Sequence, residues 1–238
     1  MSLAVCLDLE LDGDTILCAA TAWTNGFMTI PQLWVEQTKT GFAPLGPKNI
    51  ELLLDFLVQC KDQGMALVTW GGTNTDWRML HKAVGDERKA QVKELAMYAV
   101  DIPLLSSAAN GMMMGLTAVA QGMGLGKRPA CDSQDVPNYW NSGDAKMLND
   151  VFLHVQWDAS TCAAIYNRLT FNAQFQRPLM TWMTVRGQMR SVRLQREKTQ
   201  DGSYKLPRVA DLILWEPPTT NFRIPEHLHP KTIIQWLL

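Results

Sequence analysis

The chain has 238 residues, 47% of them hydrophobic and 19% charged, with a net charge of −1, which supports one sizeable buried core and argues against a disordered chain. No uninterrupted apolar run reaches the length of a membrane span, and the N-terminus lacks the basic and apolar regions of a signal peptide, so a cytoplasmic protein is expected. The near-neutral total hides an asymmetry: residues 1–171 carry 12 Lys and Arg against 18 Asp and Glu, a net −6, whereas residues 172–238 carry 10 against 5, a net +5.

Three extended segments open the chain, Leu3–Leu11, Thr15–Trp23 and Phe27–Gln37, separated by turn signals, and read as an antiparallel meander. From Asn49 to Lys61 apolar residues recur at helical spacing, and Ala66–Trp70 follows as a short buried strand. Helices are expected from about Asp76 and from about Asp86, then a short strand near Met97–Asp101 and a helix around Leu116–Gly122. Asp144 to Leu169 carries Met147, Leu148, Val151, Val155, Cys162 and Ile165 on one stripe without Gly or Pro, and predicts a long helix started by the Asn141-Ser142-Gly143-Asp144 capping cluster. Beyond Gln174 the texture changes. Leu179–Val185 and Gln188–Leu194 predict a hairpin across Arg186-Gly187, Arg208–Leu214 a short helix, and prolines punctuate the rest. The expected architecture is α/β: a mixed sheet flanked by helices over residues 1–171, with a basic extension, 172–238, packed on the same domain.

The first strand ends on two carboxylates, Asp8 and Glu10, which the period of a strand places on one face. Such a pair needs a raised pKa or a cation, and no basic residue lies between Met1 and Ala20, which favours a metal. The competing reading is a solvated acidic turn continued by Asp12 and Asp14. Asp76 stands six residues past Trp70, where functional residues collect, or else caps a helix. Asp158 lies inside the long helix, where neither capping nor turn formation explains it. His154 sits one turn earlier on the same face, as a site residue or an ordinary boundary histidine. Cys6, Cys18, Cys60, Cys131 and Cys162 show no paired spacing and read as reduced and structural.

The ordered set Val5-Cys6-Leu7-Asp8-Leu9-Glu10, Val68-Thr69-Trp70-Gly71-Gly72-Thr73-Asn74-Thr75-Asp76-Trp77-Arg78-Met79-Leu80 and His154-Val155-Gln156-Trp157-Asp158-Ala159-Ser160-Thr161 resembles the DEDD superfamily of 3′-to-5′ exonucleases, the proofreading type. The stretches Val119–Lys127 and Tyr139–Gly143 look like a bacterial branch distantly related to polymerase-associated exonuclease domains. The resemblance spans residues 3–170. It implies a ribonuclease H-like fold, two divalent cations (Mg²⁺ or Mn²⁺) held by Asp8, Glu10, Asp76 and Asp158, and single-stranded DNA or 3′ ends as partner, with no membrane role. His154 would orient or deprotonate the attacking water. Two departures stand out. Gly71 and Thr75 occupy places where the family usually has Asn and Phe, and His154 occupies the place of a tyrosine.

Leu9, Asn74, Arg78, Lys127 and Arg128 are the candidate nucleic-acid contacts, with Arg186, Arg190, Arg193 and Arg196 behind them. Trp77, Trp157, Tyr139 and Trp140 either stack on bases or belong to the core, the commoner role. Gly122, Gly124 and Gly126 read as a helix terminus with a turn rather than a dinucleotide fingerprint. His227-Leu228-His229 reads as a surface loop. Two other functions share these features: a non-catalytic nucleic-acid binding module, and an endonuclease of the ribonuclease H type.

Overall fold

The computed structural model describes residues 3–110, 113–129, 131–171, 181–185, 188–192, 197–198, 204–213 and 226–238, with side chains for 3–108, 113–129, 131–170, 206–213 and 226–238. Its centre is a five-stranded mixed sheet of strands β1 (Ala4–Asp12), β2 (Thr15–Thr24), β3 (Thr29–Trp34), β6 (Ala66–Thr69) and β7 (Val100–Asp101), in the order β3-β2-β1-β6-β7. The first three run antiparallel, and β6 and β7 add parallel to β1. Parallel addition requires a crossover, supplied by α1 (Pro47–Asp62) before β6 and by α2 (Asp76–Ala83) and α3 (Asp86–Tyr98) before β7. A small hairpin, β4 (Glu36–Thr38) with β5 (Gly41–Ala43), precedes α1.

From Ala4 to Glu10 β1 is buried on both faces, apart from a partly exposed Asp8, as a central strand under helices must be. Helix α7 (Ala145–Phe171) lies across β1, β2, β3 and β6. The Asp144 carboxylate accepts from the Lys146 and Met147 N–H groups and caps it. At ~1.5 Å per residue the helix is about 40 Å long, more than a five-stranded sheet is wide at ~4.8 Å per step. Its first turn therefore overhangs, and Met147 is 38% exposed instead of joining the core stripe.

The expected strand at Met97 begins later, because Met97 and Tyr98 finish α3 and only Val100–Asp101 pair with β6. Helix α4 (Ile102–Asn110) follows, then α5 (Leu116–Gly122) and α6 (Val136–Asn141). Gly124 and Gly126 close α5 with φ of +66° and +98°, the left-handed turn expected of a helix terminus. Strands β8 (Thr181–Val185) and β9 (Gln188–Val192) pair with Val185 opposite Gln188, as the hairpin reading required, while Leu179, Arg186, Gly187, Arg193, Leu194 and Arg196 lie outside the described residues. Strands β10 (Glu197–Lys198) and β11 (Tyr204–Lys205) make a second short pair. The expected helix at Arg208 is a single 3₁₀ turn, Val209–Leu212, hung on β7's neighbour by Val209 N–H to the Ala99 carbonyl at 2.8 Å. Another 3₁₀ turn, Glu226–Leu228, leads into α8 (Pro230–Ile234), which His229 Nδ1 caps by accepting from Lys231 N–H. Among the described residues no helix is long and apolar enough to cross a membrane.

Candidate metal centre

Alternation along β1 turns Cys6, Asp8 and Glu10 toward α7 and sends Leu9 the other way, into the core. Glu10 is buried, and directly after it the pairing with β2 slips from Glu10 opposite Cys18 to Leu11 opposite Ile16. Such a bulge re-aims the side chains around it. Behind the acidic pair the Cys162 thiol, one turn beyond Asp158, hydrogen-bonds to Cys6. All five cysteines are buried and free, in keeping with a structural role.

From α7, His154 and Asp158 face the same space. Glu10 Oε1 lies 3.1 Å from His154 Nε2, which is 3.8 Å from Asp158 Oδ2. One ligand atom from each of Glu10, His154 and Asp158 falls within 4.8 Å of the others, close enough to share an ion. His154 is fully buried, and its Nδ1 lies 2.8 Å from the Cys131 carbonyl oxygen, which only accepts. The Nδ1 proton is thereby fixed, and Nε2 is the nitrogen turned to the carboxylates, where it hydrogen-bonds to Glu10. The alternative of a boundary histidine at the helix surface does not hold.

Asp76 approaches from the other side. It is the first residue of α2, with Thr75 at the cap position, and its carboxylate is 4% exposed and accepts from the Leu9 backbone N–H. The capping alternative is thus replaced by a bond to β1 where β6, paired only as far as Thr69, has turned away. The loop between β6 and Asp76 is pinned by a residue that the sequence reading passed over. Buried Asp101, at the end of β7, accepts from the N–H groups of Gly71 (3.1 Å), Thr73 (2.9 Å) and Leu104 (3.2 Å). Trp236, near the C-terminus, donates its indole N–H to the Thr73 carbonyl at 2.8 Å. Gly71 has φ of +80°, a conformation open mainly to Gly and Asn, so glycine in place of the Asn that the resemblance implies is compatible with this backbone path.

Electrostatics tie the four carboxylates together. Asp8 is pushed well up from the usual carboxylate range by burial, then by the fields of Glu10, Asp158 and Asp76. Asp76 rises through burial and the fields of Asp101 and Glu10, and Glu10 and Asp158 rise through burial despite their cationic neighbours. Burial alone would lower His154, but its hydrogen bond to Glu10 and the fields of Glu10 and Asp158 win, and its pKa is raised. The sign for stability is the same for all of them. Each holds its proton in the folded state where the unfolded chain has released it, so stability of the metal-free protein falls as pH rises through the raised values. Thermal unfolding in chelator is expected to show a lower Tm at about pH 8 than at about pH 5, with saturating Mn²⁺ restoring about 5–10 °C at the higher pH only. A Tm indifferent to both variables would mean that these groups are not strained by one another.

The residues present fit a divalent cation. Asp8 Oδ2 and Asp158 Oδ1 are buried without a hydrogen-bond partner, a costly condition for carboxylate oxygens unless a cation takes them. The donors are carboxylates and one imidazole, with no thiolate among the converging ligand atoms, a set for hard cations. Asp8 and Asp76 stand outside the tight trio of Glu10, His154 and Asp158. The counter-charge absent from the N-terminal sequence arrives from far along the chain: Arg128 Nη2 donates to Asp158 Oδ2 at 2.6 Å.

The other candidate contacts scatter. Leu9 offers this surroundings only its backbone N–H, since its side chain is 6% exposed in the core. Arg78 donates to Asn74 Oδ1 at 3.3 Å on the surface beside Asp76, and Lys127 is exposed. The side chains of Arg186, Arg190, Arg193 and Arg196 lie outside the described residues. Trp77 is fully buried, and Trp157, Tyr139 and Trp140 pack against the core, the commoner role for such aromatics. His227 is exposed, in a surface segment.

Comparison with known proteins agrees with this architecture. A search of curated proteins finds no match. The model of the RNase_H_2 family, described as RNase_H superfamily, matches residues 5–170, which include all but the first residue of β1, the carboxylates Asp8, Glu10, Asp76 and Asp158, and all but the last residue of α7. The chain therefore belongs to the RNase H superfamily, whose nucleases act on nucleic acids with the help of divalent metals.

Proposed function

We propose that the chain is a 3′-to-5′ exonuclease of the DEDD type, hydrolysing the phosphodiester bond at the 3′ end of a nucleic acid, single-stranded DNA in the first instance, and releasing nucleoside monophosphates. The observation that carries this reading is the meeting of Asp8, Glu10, Asp76 and Asp158 in one buried space, two of their oxygens lacking any partner. Asp8, Glu10 and Asp158 would hold two Mg²⁺ or Mn²⁺ ions, with Asp76 supporting them from the side of β6. When bound, such ions activate a water and stabilise the leaving 3′ oxygen.

Within the chain, His154 has the geometry of a base. Its Nδ1 proton is engaged by Cys131, which leaves Nε2 to orient a water or take its proton. The carboxylates that raise its pKa also keep it positioned, through Glu10 at 3.1 Å. Asn74, Arg78 and Lys127 are exposed and are suited to the phosphates of an entering strand.

The contact between Arg128 and Asp158 lends some support to a second reading, a non-catalytic nucleic-acid binding module in which an internal cation has replaced metal. One assay separates the readings. With Mn²⁺ or Mg²⁺, single-stranded oligonucleotides labelled at the 3′ end are expected to release the label as a mononucleotide, and 5′-labelled ones to shorten progressively, with no reaction in chelator. Cleavage of a circular single strand would point instead to the endonuclease chemistry of ribonuclease H. Salt-sensitive binding without any turnover would establish the binding module.

A further inference from the structure

Arg128 is placed where a phosphate-binding residue has no evident reason to be. Its Nη2 reaches Asp158 Oδ2 at 2.6 Å and His154 Nε2 at 3.0 Å, and the second of these is also 3.3 Å from Ser133 Oγ. Its Nη1 donates to Asp132 Oδ1 at 3.0 Å, and Nη2 also contacts Ser133 Oγ at 3.1 Å. The guanidinium thus touches two of the three groups whose ligand atoms lie within 4.8 Å of one another. Its Nε–H is buried with no partner, so the side chain is not fully satisfied in this position. Its side chain keeps 20% exposure, against 10% for Asp158, 7% for Glu10 and none for His154, and is more open than any of these three.

Resting on the reading of this space as a cation site, we infer that Arg128 is its resident counter-ion, displaced when a divalent cation enters and then free to bind a nucleic-acid phosphate. Charge arithmetic favours the exchange. One guanidinium sits in the fields of Asp8, Glu10 and Asp158, so a dication neutralises more of the surplus, and an ion that takes Asp158 Oδ2 competes with the arginine for that oxygen. A guanidinium freed at the rim presents the planar fork that suits phosphate oxygens. Metal and nucleic acid would therefore bind cooperatively: the ion releases Arg128 from Asp158, and a phosphate engages Arg128 and holds it away.

The decisive measurement is Mn²⁺ binding without nucleic acid, by the loss of the free-ion signal in electron paramagnetic resonance, on the full chain, Arg128→Met, Arg128→Lys and Asp158→Asn. Arg128→Met is expected to bind Mn²⁺ about tenfold more tightly than the unmodified chain, because the competing charged hydrogen bond is gone. Arg128→Lys, which replaces the two-pronged guanidinium by a single ammonium, should fall between them and covers the case in which the methionine variant does not fold. With Ca²⁺ present, affinity for a single-stranded oligonucleotide should move the opposite way, weakening in Arg128→Met. Unaltered Mn²⁺ affinity in the arginine variants, with binding still lost in Asp158→Asn, overturns the role of Arg128 and leaves the cation site standing. Absence of Mn²⁺ binding in every protein overturns both.

Discussion

Asp8→Ala is expected to lose at least ~10³-fold of hydrolytic activity, about 4 kcal/mol of transition-state stabilisation, while its metal-free stability at neutral pH stays level or rises. The two effects have one cause. Asp8 is held among Glu10, Asp76 and Asp158 with one oxygen unpartnered, an arrangement that costs the folded state and has value only when a cation is bound. Asp14 makes the matched control. It is exposed and paired with Lys82 at 2.7 Å, so Asp14→Ala should change stability by no more than about 0.5 kcal/mol and activity hardly at all. Turnover and unfolding curves of the two variants, measured side by side, check this. Asp8→Ala retaining activity within about tenfold of the unmodified chain would remove Asp8 from the site.

Gly72→Ala is expected to cost about 1–3 kcal/mol of stability and about 10²-fold of activity together. A Cβ at Gly72 would lie 2.5 Å from Asp76 Oδ2 and 2.6 Å from Thr69 Cβ. Thr69 is a fully buried strand residue, so the strain falls on the carboxylate. Neighbouring Gly71 provides the contrast. With φ of +80° and no atom within 4 Å of its would-be Cβ, it is constrained by backbone alone. Gly71→Asn should therefore be tolerated, since asparagine is the side chain most at ease in that conformation. Denaturant midpoints and initial rates for both variants distinguish the cases, and equal behaviour would mean that close packing does not set the position of Asp76.

Legibility in the sequence followed the range of the interaction. Apolar, β-branched and aromatic composition bounded by turn signals located β1 and β2, the helical stripe located α7, and the Asp144 cap fixed where α7 begins, all of them local patterns. The acidic residues were visible because each stood where local structure had no use for it, as Asp158 does inside α7. Helix α4 escaped because Ile102–Ala108 is buried on every side, which leaves no amphipathic stripe to read. Asp101 looked like a strand terminus, and its three backbone partners belong to a loop some 30 residues earlier and to the turn that follows it. Arg128, expected as a phosphate contact, and Trp236 both have partners that are invisible in the same way. One meets Asp158 across 30 residues and the other meets Thr73 across 163, and nothing local in either side chain names its partner.

The claim on which the functional reading turns is that Asp8, Glu10 and Asp158, with Asp76 beside them, take up divalent cations. Crystals soaked in MnCl₂ with a nucleoside monophosphate, and measured at the manganese absorption edge, address it most directly. Anomalous peaks bounded by Asp8, Glu10 and Asp158, with the nucleotide phosphate against them and Arg128 turned away from Asp158, are the predicted result. Manganese bound elsewhere, with Arg128 still on Asp158 and these carboxylates bare, would contradict it.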